Sequence, residues 1–185
     1  MNQALGCCVA AALLFGAASG ARACAVERRR VRVAADQNAV LIAEFARPAG
    51  IAELAAIAAP SAPAARPSAR FPPAELTLYT LSGTLLAIDR TAAGDDRLVI
   101  ADFDQPQTAI VAVAADPACA AGSRFADNIA AVRNALHRKF GTFSRVTPNL
   151  PVTVTGVTFF AGGPRPVGTA ANGLELQPLI GIAFP

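Results

Sequence analysis

Carboxylates gathered around two short turns are the residues of this chain best suited to chemistry. Asp89, Asp95 and Asp96 flank the first turn, and Asp102 and Asp104 lie at the second. Carboxylate oxygens are the ligands that Ca²⁺ prefers, so a cation site at these turns is one hypothesis. Aspartate is also a common turn residue, and the spacing matches no calcium loop. We therefore predict no metal site and no cofactor.

General base chemistry would have to use His137, the one histidine of the sequence. Arg138 and Lys139 follow it near the end of a predicted helix, where the helix dipole stabilises positive charge. This position favours a solvated cationic helix end over a catalytic base. The sequence also lacks a nucleophile elbow, a phosphate loop and a dinucleotide fingerprint. We therefore predict no catalytic residue.

The first residues have the features of an export signal. Val9–Phe15 is an apolar run too short to span a bilayer, and the small residues after it end in Ala21-Arg22-Ala23, an A-x-A cleavage site. No lysine or arginine precedes the run, which is atypical. The alternative, a buried N-terminal helix, would have to accommodate three glycines at about 1 kcal/mol each relative to alanine. We predict a signal peptide over residues 1–23, a secreted or periplasmic protein, and no transmembrane segment after cleavage.

Four cysteines are present, and Cys7 and Cys8 would leave with the signal. Cys24 and Cys119 would remain in a compartment where thiols oxidise, so a disulfide between them is the predicted pairing. Two unrelated thiols are the alternative. A lipid anchor on Cys24 is disfavoured, because Ala21 stands where a lipobox has a large aliphatic residue. With one histidine and two paired cysteines, the chain cannot assemble a zinc site of the ordinary ligand type.

The charge pattern argues against a nucleic-acid partner. The formal net charge is +3, there is no tryptophan and one tyrosine, and most arginines are scattered along the chain. Nucleic-acid binding proteins usually cluster basic residues beside stacking aromatics. Arg28–Arg30 is the exception, and contact with an anionic surface or nucleic acid is one interpretation of it. A solvated N-terminal arm explains these arginines as well, and we favour it.

Residues 24–73 of the chain are predicted to form an N-terminal arm. Within them, Val31–Glu44 alternates loosely and is expected to be a strand or an extended segment. Isoleucine and leucine recur three apart in residues 50–59, which predicts one short amphipathic helix. Pro60–Pro73 contains five prolines and is expected to be a surface linker. The main domain would then occupy residues 74–185.

This main domain contains five strand candidates and one helix candidate. In chain order they are Glu75–Ile88, Arg97–Asp102, Thr108–Ala114, a helix from Ser123 to Gly141, Val152–Phe160 and Leu174–Phe184. The helix has apolar residues at steps of three and four, with Ser123 as its cap and Gly141 at its end. A long, bent first strand and a helix between strands three and four are what an OB-fold barrel requires. We therefore predict a mainly β fold, a five-stranded OB-like barrel. An open antiparallel sheet with one helix across it is the alternative.

Four segments of the chain resemble a family of small, uncharacterised secreted bacterial proteins with an OB-like barrel. They are Cys24-Ala-Val-Glu-Arg-Arg-Arg-Val-Arg-Val, Asp116-Pro-Ala-Cys119, Val152-Thr-Val-Thr-Gly-Val-Thr-Phe-Phe160 and Asn172-Gly-Leu-Glu-Leu-Gln-Pro178. The matching family pattern opens the mature protein with its cysteine. The resemblance therefore implies cleavage before Cys24 and a disulfide between Cys24 and Cys119.

The chain departs from the family pattern at three histidines. Similar proteins carry Asp-Gly-Asp-x-His before the second strand, His-Gly-Gln-x-Gly before the last strand and Glu-Leu-His-Pro within it. The corresponding segments here are Ala93–Arg97, Pro164–Gly168 and Glu175–Pro178, without a histidine. Acid–base or metal chemistry that depends on those histidines would be lost, because arginine stays protonated and glutamine does not titrate.

The polar positions that remain from the family pattern are Asp95, Asn172 and Glu175. Together with Arg97 they are the predicted ligand-binding residues. The function that fits best is a secreted or periplasmic binding or structural module without catalytic activity. Its partner would be a protein, a glycan or another envelope component that meets the barrel face or its loops.

The alternative function is a divalent-metal-dependent, nuclease-like hydrolase built on the same barrel. In that enzyme Asp89, Asp95 or Asp96 would hold the cation together with Glu175, and Arg97 would face a phosphate. It predicts cleavage of DNA or RNA that depends on a divalent cation.

Overall fold

The computed structural model of the chain describes residues 24, 26, 28–61, 68–162 and 166–185, so the predicted export signal, residues 1–23, lies outside the described residues. The helices are α1 (Arg29–Arg32), α2 (Ile51–Ala55) and α3 (Ala126–Phe140). The strands are β1 (Arg47–Pro48), β2 (Leu78–Arg90), β3 (Asp96–Ala101), β4 (Ala109–Ala114), β5 (Arg145–Val146), β6 (Leu150–Phe160) and β7 (Leu174–Ala183). None of the helices in the described part of the chain is long and apolar enough to cross a membrane.

Five of these strands close into a barrel. β2 pairs with β3, β3 with β4, β4 with β7 and β7 with β6, and β6 returns to β2. The β4–β7 pairing is parallel and the others are antiparallel. α3 lies between β4 and β6 in the chain, which completes the order of an OB-like barrel. The predicted barrel is therefore confirmed, and the open-sheet alternative is wrong.

The long strand β2 closes the barrel because it pairs along both of its edges. Its first part pairs with β6, and its second part, from Thr84 to Arg90, pairs with β3. A register shift between Leu85 and Ala87 marks a bulge, which bends the strand and increases its twist. At Gly83 a Cβ atom would collide with the carbonyl oxygen of Ala101. The close approach of the two strands therefore requires glycine at this position.

The hydrophobic core fills the barrel and continues beneath two of the helices. α2 contributes Ile51 and Leu54, and α3 contributes Val132 and Leu136. These are the apolar faces that the helical spacing predicts, so both predicted helices are confirmed. On the strands, alternate residues point into the barrel. This inward set includes Leu81, Leu85, Leu98, Ile100, Ile110, Leu174 and Leu176.

Two expectations about local structure are wrong. Val31–Glu44 is neither a strand nor an extended segment, because it contains the end of α1 and a 3₁₀ turn over Gln37–Leu41. Ser123 is not the cap of α3, which begins only after Phe125. The Ser123 hydroxyl instead donates to the carbonyl of Val33 and accepts from the Phe125 backbone N–H, so it joins the arm to the helix.

The N-terminal arm is attached to the barrel covalently and through arginines. Cys24 and Cys119 form a disulfide with a Cα–Cα distance of 5.3 Å, which confirms the predicted pairing. Arg28 is 4% exposed, and its guanidinium donates to both carboxylate oxygens of Glu75, at 2.9 and 2.6 Å. The expectation of a solvated arm is therefore wrong for Arg28. A buried guanidinium needs a carboxylate partner, and the fold supplies one.

Candidate ligand-binding site

A cleft of about 200 Å³ lies on the outer face of the barrel, and we call it the OB-face cleft. Its walls come from β3, β4 and β7, from the turn between β2 and β3, from the loop between β6 and β7, and from the N-terminal arm. The polar residues that line it are Arg32, Thr91, Asp95, Arg97, Glu175 and Gln177. OB folds bind their ligands on this part of the barrel, between these two connections.

The alternation of β-strands places the polar side chains in this cleft. On β7, Leu174 and Leu176 point into the barrel. Glu175 and Gln177 alternate with these leucines along the strand and therefore point outward. Leu98 is likewise buried in the core, and Arg97 faces the opposite side. The strand register then places these side chains on both sides of β4, because Arg97 of β3 pairs with Val113 and Glu175 of β7 pairs with Val111.

Glu175 is the most unusual residue of the cleft. It is 7% exposed, and its carboxylate accepts no hydrogen bond from any of the described residues. Its ion-pair partner is Arg32, whose Nη1 lies 3.9 Å from Oε2. Burial raises the pKa of the Glu175 carboxyl above its ordinary value, and the positive charges of Arg32 and Arg97 offset this only in part. Glu175 is therefore a buried acid that still has free acceptor capacity.

Asp95 lies in the same cleft, but its carboxylate is already engaged. Arg29 Nη1 donates to both of its oxygens, at 3.1 and 2.8 Å, and the backbone N–H of Asp116 donates to one of them at 2.7 Å. Its own backbone N–H donates to the hydroxyl of Thr91. Asp95 therefore fixes the β2–β3 turn and the arm in place, as a wall of the cleft.

Arg97 connects β3 to the loop between β6 and β7 across the cleft. One guanidinium N–H group donates to the backbone carbonyl of Val167, in the loop between β6 and β7. Nη1 lies 3.6 Å from Oδ2 of Asp89. The Nε atom is buried and has no hydrogen-bond partner among the described residues. Arg97 thus holds the loop over the cleft, and its Nη1, whose contact with Asp89 is longer than a hydrogen bond, keeps donor capacity.

Asn172, the fourth predicted site residue, lies elsewhere. Its Nδ2 donates to the carbonyls of Leu54 and Ile57, at 2.8 and 2.9 Å, and its Oδ1 accepts from the backbone N–H of Leu174 at 3.0 Å. These bonds join the C-terminal end of α2 to the start of β7. The structure brings Asp95, Arg97 and Glu175 together, whereas Asn172 has a structural role.

Three polar residues of the cleft, Arg32, Thr91 and Gln177, do not belong to the predicted set. Arg32 Nη1 donates to Oε1 of Gln177 at 2.8 Å, and its guanidinium lies 4.6 Å from the centre of the Phe159 ring. Gln177 is 1% exposed. Its position two residues after Glu175 on the same strand face was a signal that sequence reasoning could have used. Arg32 gave no such signal, because the path of the arm is set by tertiary contacts.

The carboxylates of the metal hypothesis do not converge. Asp96 is fully buried beside Arg90 and Arg133, with nitrogen to oxygen distances of 2.5 and 3.1 Å. His137, expected at a solvated helix end, lies 3.5 Å from the same carboxylate. Asp89 contacts the guanidinium groups of two arginines. Among the described residues, no group of three or more His, Cys, Asp or Glu side chains is arranged to hold a metal ion.

Comparisons with known proteins do not identify a function for the cleft. No protein-family model and no curated protein matches this chain. What the cleft can do must therefore be inferred from its residues: one buried carboxylate with open acceptor sites, arginines at its side and rim, and an apolar wall.

Proposed function

We propose that this protein is an exported, non-catalytic binding module whose OB-face cleft takes a small ligand. The observation that carries the proposal is Glu175, whose side chain is 9% exposed and whose carboxylate receives no hydrogen bond from the described residues. Burying a charged group without hydrogen bonds costs several kcal/mol. Groups of this kind are concentrated at functional sites, where a ligand supplies the missing partner.

The other carboxylates of the region support binding over hydrolysis. Asp95 is held by Arg29, Asp96 by Arg90 and Arg133, and each of these pairs is short. In the alternative hydrolase these aspartates would have to bind the cation, but the guanidinium groups already occupy their oxygens. A binding module needs only a shaped cleft with a few polar groups, which is what these residues form.

Export is the second part of the proposal. The disulfide between Cys24 and Cys119 closes a loop with a sequence separation of 95 residues and ties the arm to the barrel. Disulfides of this structural kind persist in oxidising compartments. The apolar run and the cleavage site of residues 1–23 are consistent with a secreted or periplasmic location. Membership of the family that the four segments resemble remains a prediction.

A thermal-shift screen of small polar compounds at pH 7 tests the binding proposal. Three proteins are compared: the wild type, Glu175→Gln, and the matched control Glu44→Gln, which changes an exposed glutamate. We expect at least one compound to raise the Tm of the wild type and the control but not of Glu175→Gln. Millimolar Ca²⁺ or a chelator is expected to leave all three unchanged. If every stabilising compound acts equally on Glu175→Gln, or none acts at all, the cleft is not the binding site.

A further inference from the structure

The charges of the cleft restrict the ligand that it can take. The charged residues that line it, together with the partners of Asp95 and Arg97, have formal charges that sum to zero: Arg29, Arg32, Arg97, Asp89, Asp95 and Glu175. A ligand with one net charge would leave an uncompensated charge in a largely buried site, which is unfavourable. A neutral molecule or a zwitterion keeps the balance.

The open hydrogen-bonding groups favour the zwitterion. Glu175 offers carboxylate oxygens that accept no hydrogen bond from the described residues, which suits an ammonium group. Gln177 accepts a hydrogen bond from Arg32 at its Oε1, and its amide Nε2 donates to none of the described residues. Arg97 adds a guanidinium whose Nη1 is 3.6 Å from Asp89, longer than a hydrogen bond. These two donors suit a carboxylate.

The spacing of these groups fits one small molecule. Glu175 and Gln177 are two residues apart on one strand face, about 6.6 Å along the strand at roughly 3.3 Å per residue. An ammonium and a carboxylate on a single carbon atom, with a hydrogen bond at each end, match a separation of this size. The cleft volume, about 200 Å³, is below the range of pockets that hold drug-sized ligands.

The remaining wall of the cleft is aliphatic. Val111 and Val113 of β4, Val26 of the arm and Pro166 of the β6–β7 loop supply it. No aromatic side chain is among the described residues that line the cleft, so a sugar ring or a nucleobase would lack the flat surface on which such rings stack. An aliphatic side chain would bury apolar area against the valines.

From charge balance, open hydrogen-bonding groups, size and wall chemistry together, we infer that the OB-face cleft binds a free amino acid with a small aliphatic side chain, as its zwitterion. This inference rests on the proposed binding function and specifies its ligand. Glu175 binds the ammonium group, Gln177 and Arg97 bind the carboxylate, and the side chain lies against Val111 and Val113.

Calorimetric titration of the full mature chain tests this inference with four probes. L-valine carries both charges, isobutylamine only the amine, isovalerate only the carboxylate, and xylitol neither. We expect valine to bind, and the two singly charged probes to bind at least about tenfold more weakly, the effect of losing about 1.4 kcal/mol. Glycine, alanine and leucine, titrated beside valine, report how side-chain size affects affinity.

Two variants localise the binding. Glu175→Gln is expected to weaken valine binding by at least about tenfold, a loss of about 1.4 kcal/mol, while Glu44→Gln leaves it unchanged. If isobutylamine, isovalerate or xylitol binds as tightly as valine in a Glu175-dependent manner, the amino-acid inference is overturned and the proposed binding function stands. Absence of binding by all four amino acids also overturns the inference. The thermal-shift screen for Glu175-dependent ligands then decides whether the proposed binding function holds. The comparison of the four probes uses the wild-type protein alone, so it does not depend on whether a variant folds.

Discussion

Arg29 holds Asp95 through both carboxylate oxygens, at 3.1 and 2.8 Å, and this pair joins the N-terminal arm to the turn between β2 and β3. The two side chains are 10% and 7% exposed, so the pair is shielded from water. One wall of the cleft therefore depends on an interaction between residues that are 66 positions apart in the chain.

Replacing Arg29 is expected to destabilise the protein, because it leaves the buried Asp95 carboxylate without its cation. Breaking a buried ion pair from one side costs about 3 kcal/mol or more. We predict a loss of this size for Arg29→Met in urea denaturation at pH 7. Arg138→Met, which changes an exposed arginine of α3, serves as the control and should change stability by less than about 0.5 kcal/mol. Equal stabilities of the two variants would show that the arm does not depend on this pair.

Glu175→Gln is predicted to stabilise the unliganded protein, with a defined pH dependence. Because burial raises the pKa of Glu175 in the folded state, the folded protein binds its proton more tightly than the unfolded chain does. Stability of the wild type therefore falls as pH rises from the unfolded value, about 4.3, through the folded pKa. The amide does not ionise, so the variant avoids this loss.

Urea denaturation at pH 4 and at pH 7 measures the effect. At pH 4 the wild type and Glu175→Gln should be nearly equal, and at pH 7 the variant should be the more stable. Glu44→Gln, at an exposed position, should show no such pH-dependent difference. A wild type that is more stable than Glu175→Gln at pH 7 would contradict a penalty for the buried charge.

Removing the disulfide should strongly destabilise the domain. The bond between Cys24 and Cys119 closes a loop with a sequence separation of 95 residues. The chain-entropy model gives about 4–5 kcal/mol for a loop of this size. The double variant Cys24→Ser/Cys119→Ser should lose stability of this order, and a reductant should change the wild type but not the variant. A wild type whose denaturation is insensitive to reductant would contradict the prediction.

Asn172→Ala separates a structural role from a binding role. The variant loses donors to two carbonyls at the end of α2 and an acceptor at the start of β7. We predict a loss of about 1–3 kcal/mol in stability, the usual cost of leaving buried groups unsatisfied. Ligand affinity should stay at the wild-type value, measured by calorimetry at a temperature where the variant is folded. A specific loss of affinity would place Asn172 in the site after all.

Much of the barrel could be predicted because its signals are local. Strand alternation, the buried spacing of Ile51 and Leu54, and the glycine at position 83 all follow from short-range pattern. The arm could not be predicted, because its conformation depends on distant partners. Arg28 is buried because distant groups accept from it: the carboxylate of Glu75, 47 positions away, and the carbonyl of Phe160, 132 positions away. A basic run of this kind is solvated in most sequences, and here tertiary pairing overrides that tendency.

The site was predictable in part for the same reason. Asp95 precedes β3, and Arg97 and Glu175 lie on the outer faces of β3 and β7, the two strands that flank β4, so the barrel order brings them to one side. Asn172 stands only three positions before Glu175, but at the loop end, where its side chain meets α2 instead. Sequence distance does not show on which side of the strand end a loop residue lies.

The most direct test of the account is an NMR titration of the ¹⁵N-labelled mature protein with L-valine. A ligand site in the OB-face cleft predicts that the backbone amide signals of Arg97, Val111, Glu175 and Gln177 shift in a saturable manner. The signals of Ser82 and Thr153, which pair between β2 and β6 and do not line the cleft, should not shift. Glu175→Gln should lose the shifts and keep a folded spectrum. Shifts that arise elsewhere on the barrel, or that persist unchanged in Glu175→Gln, would contradict a ligand site in the OB-face cleft.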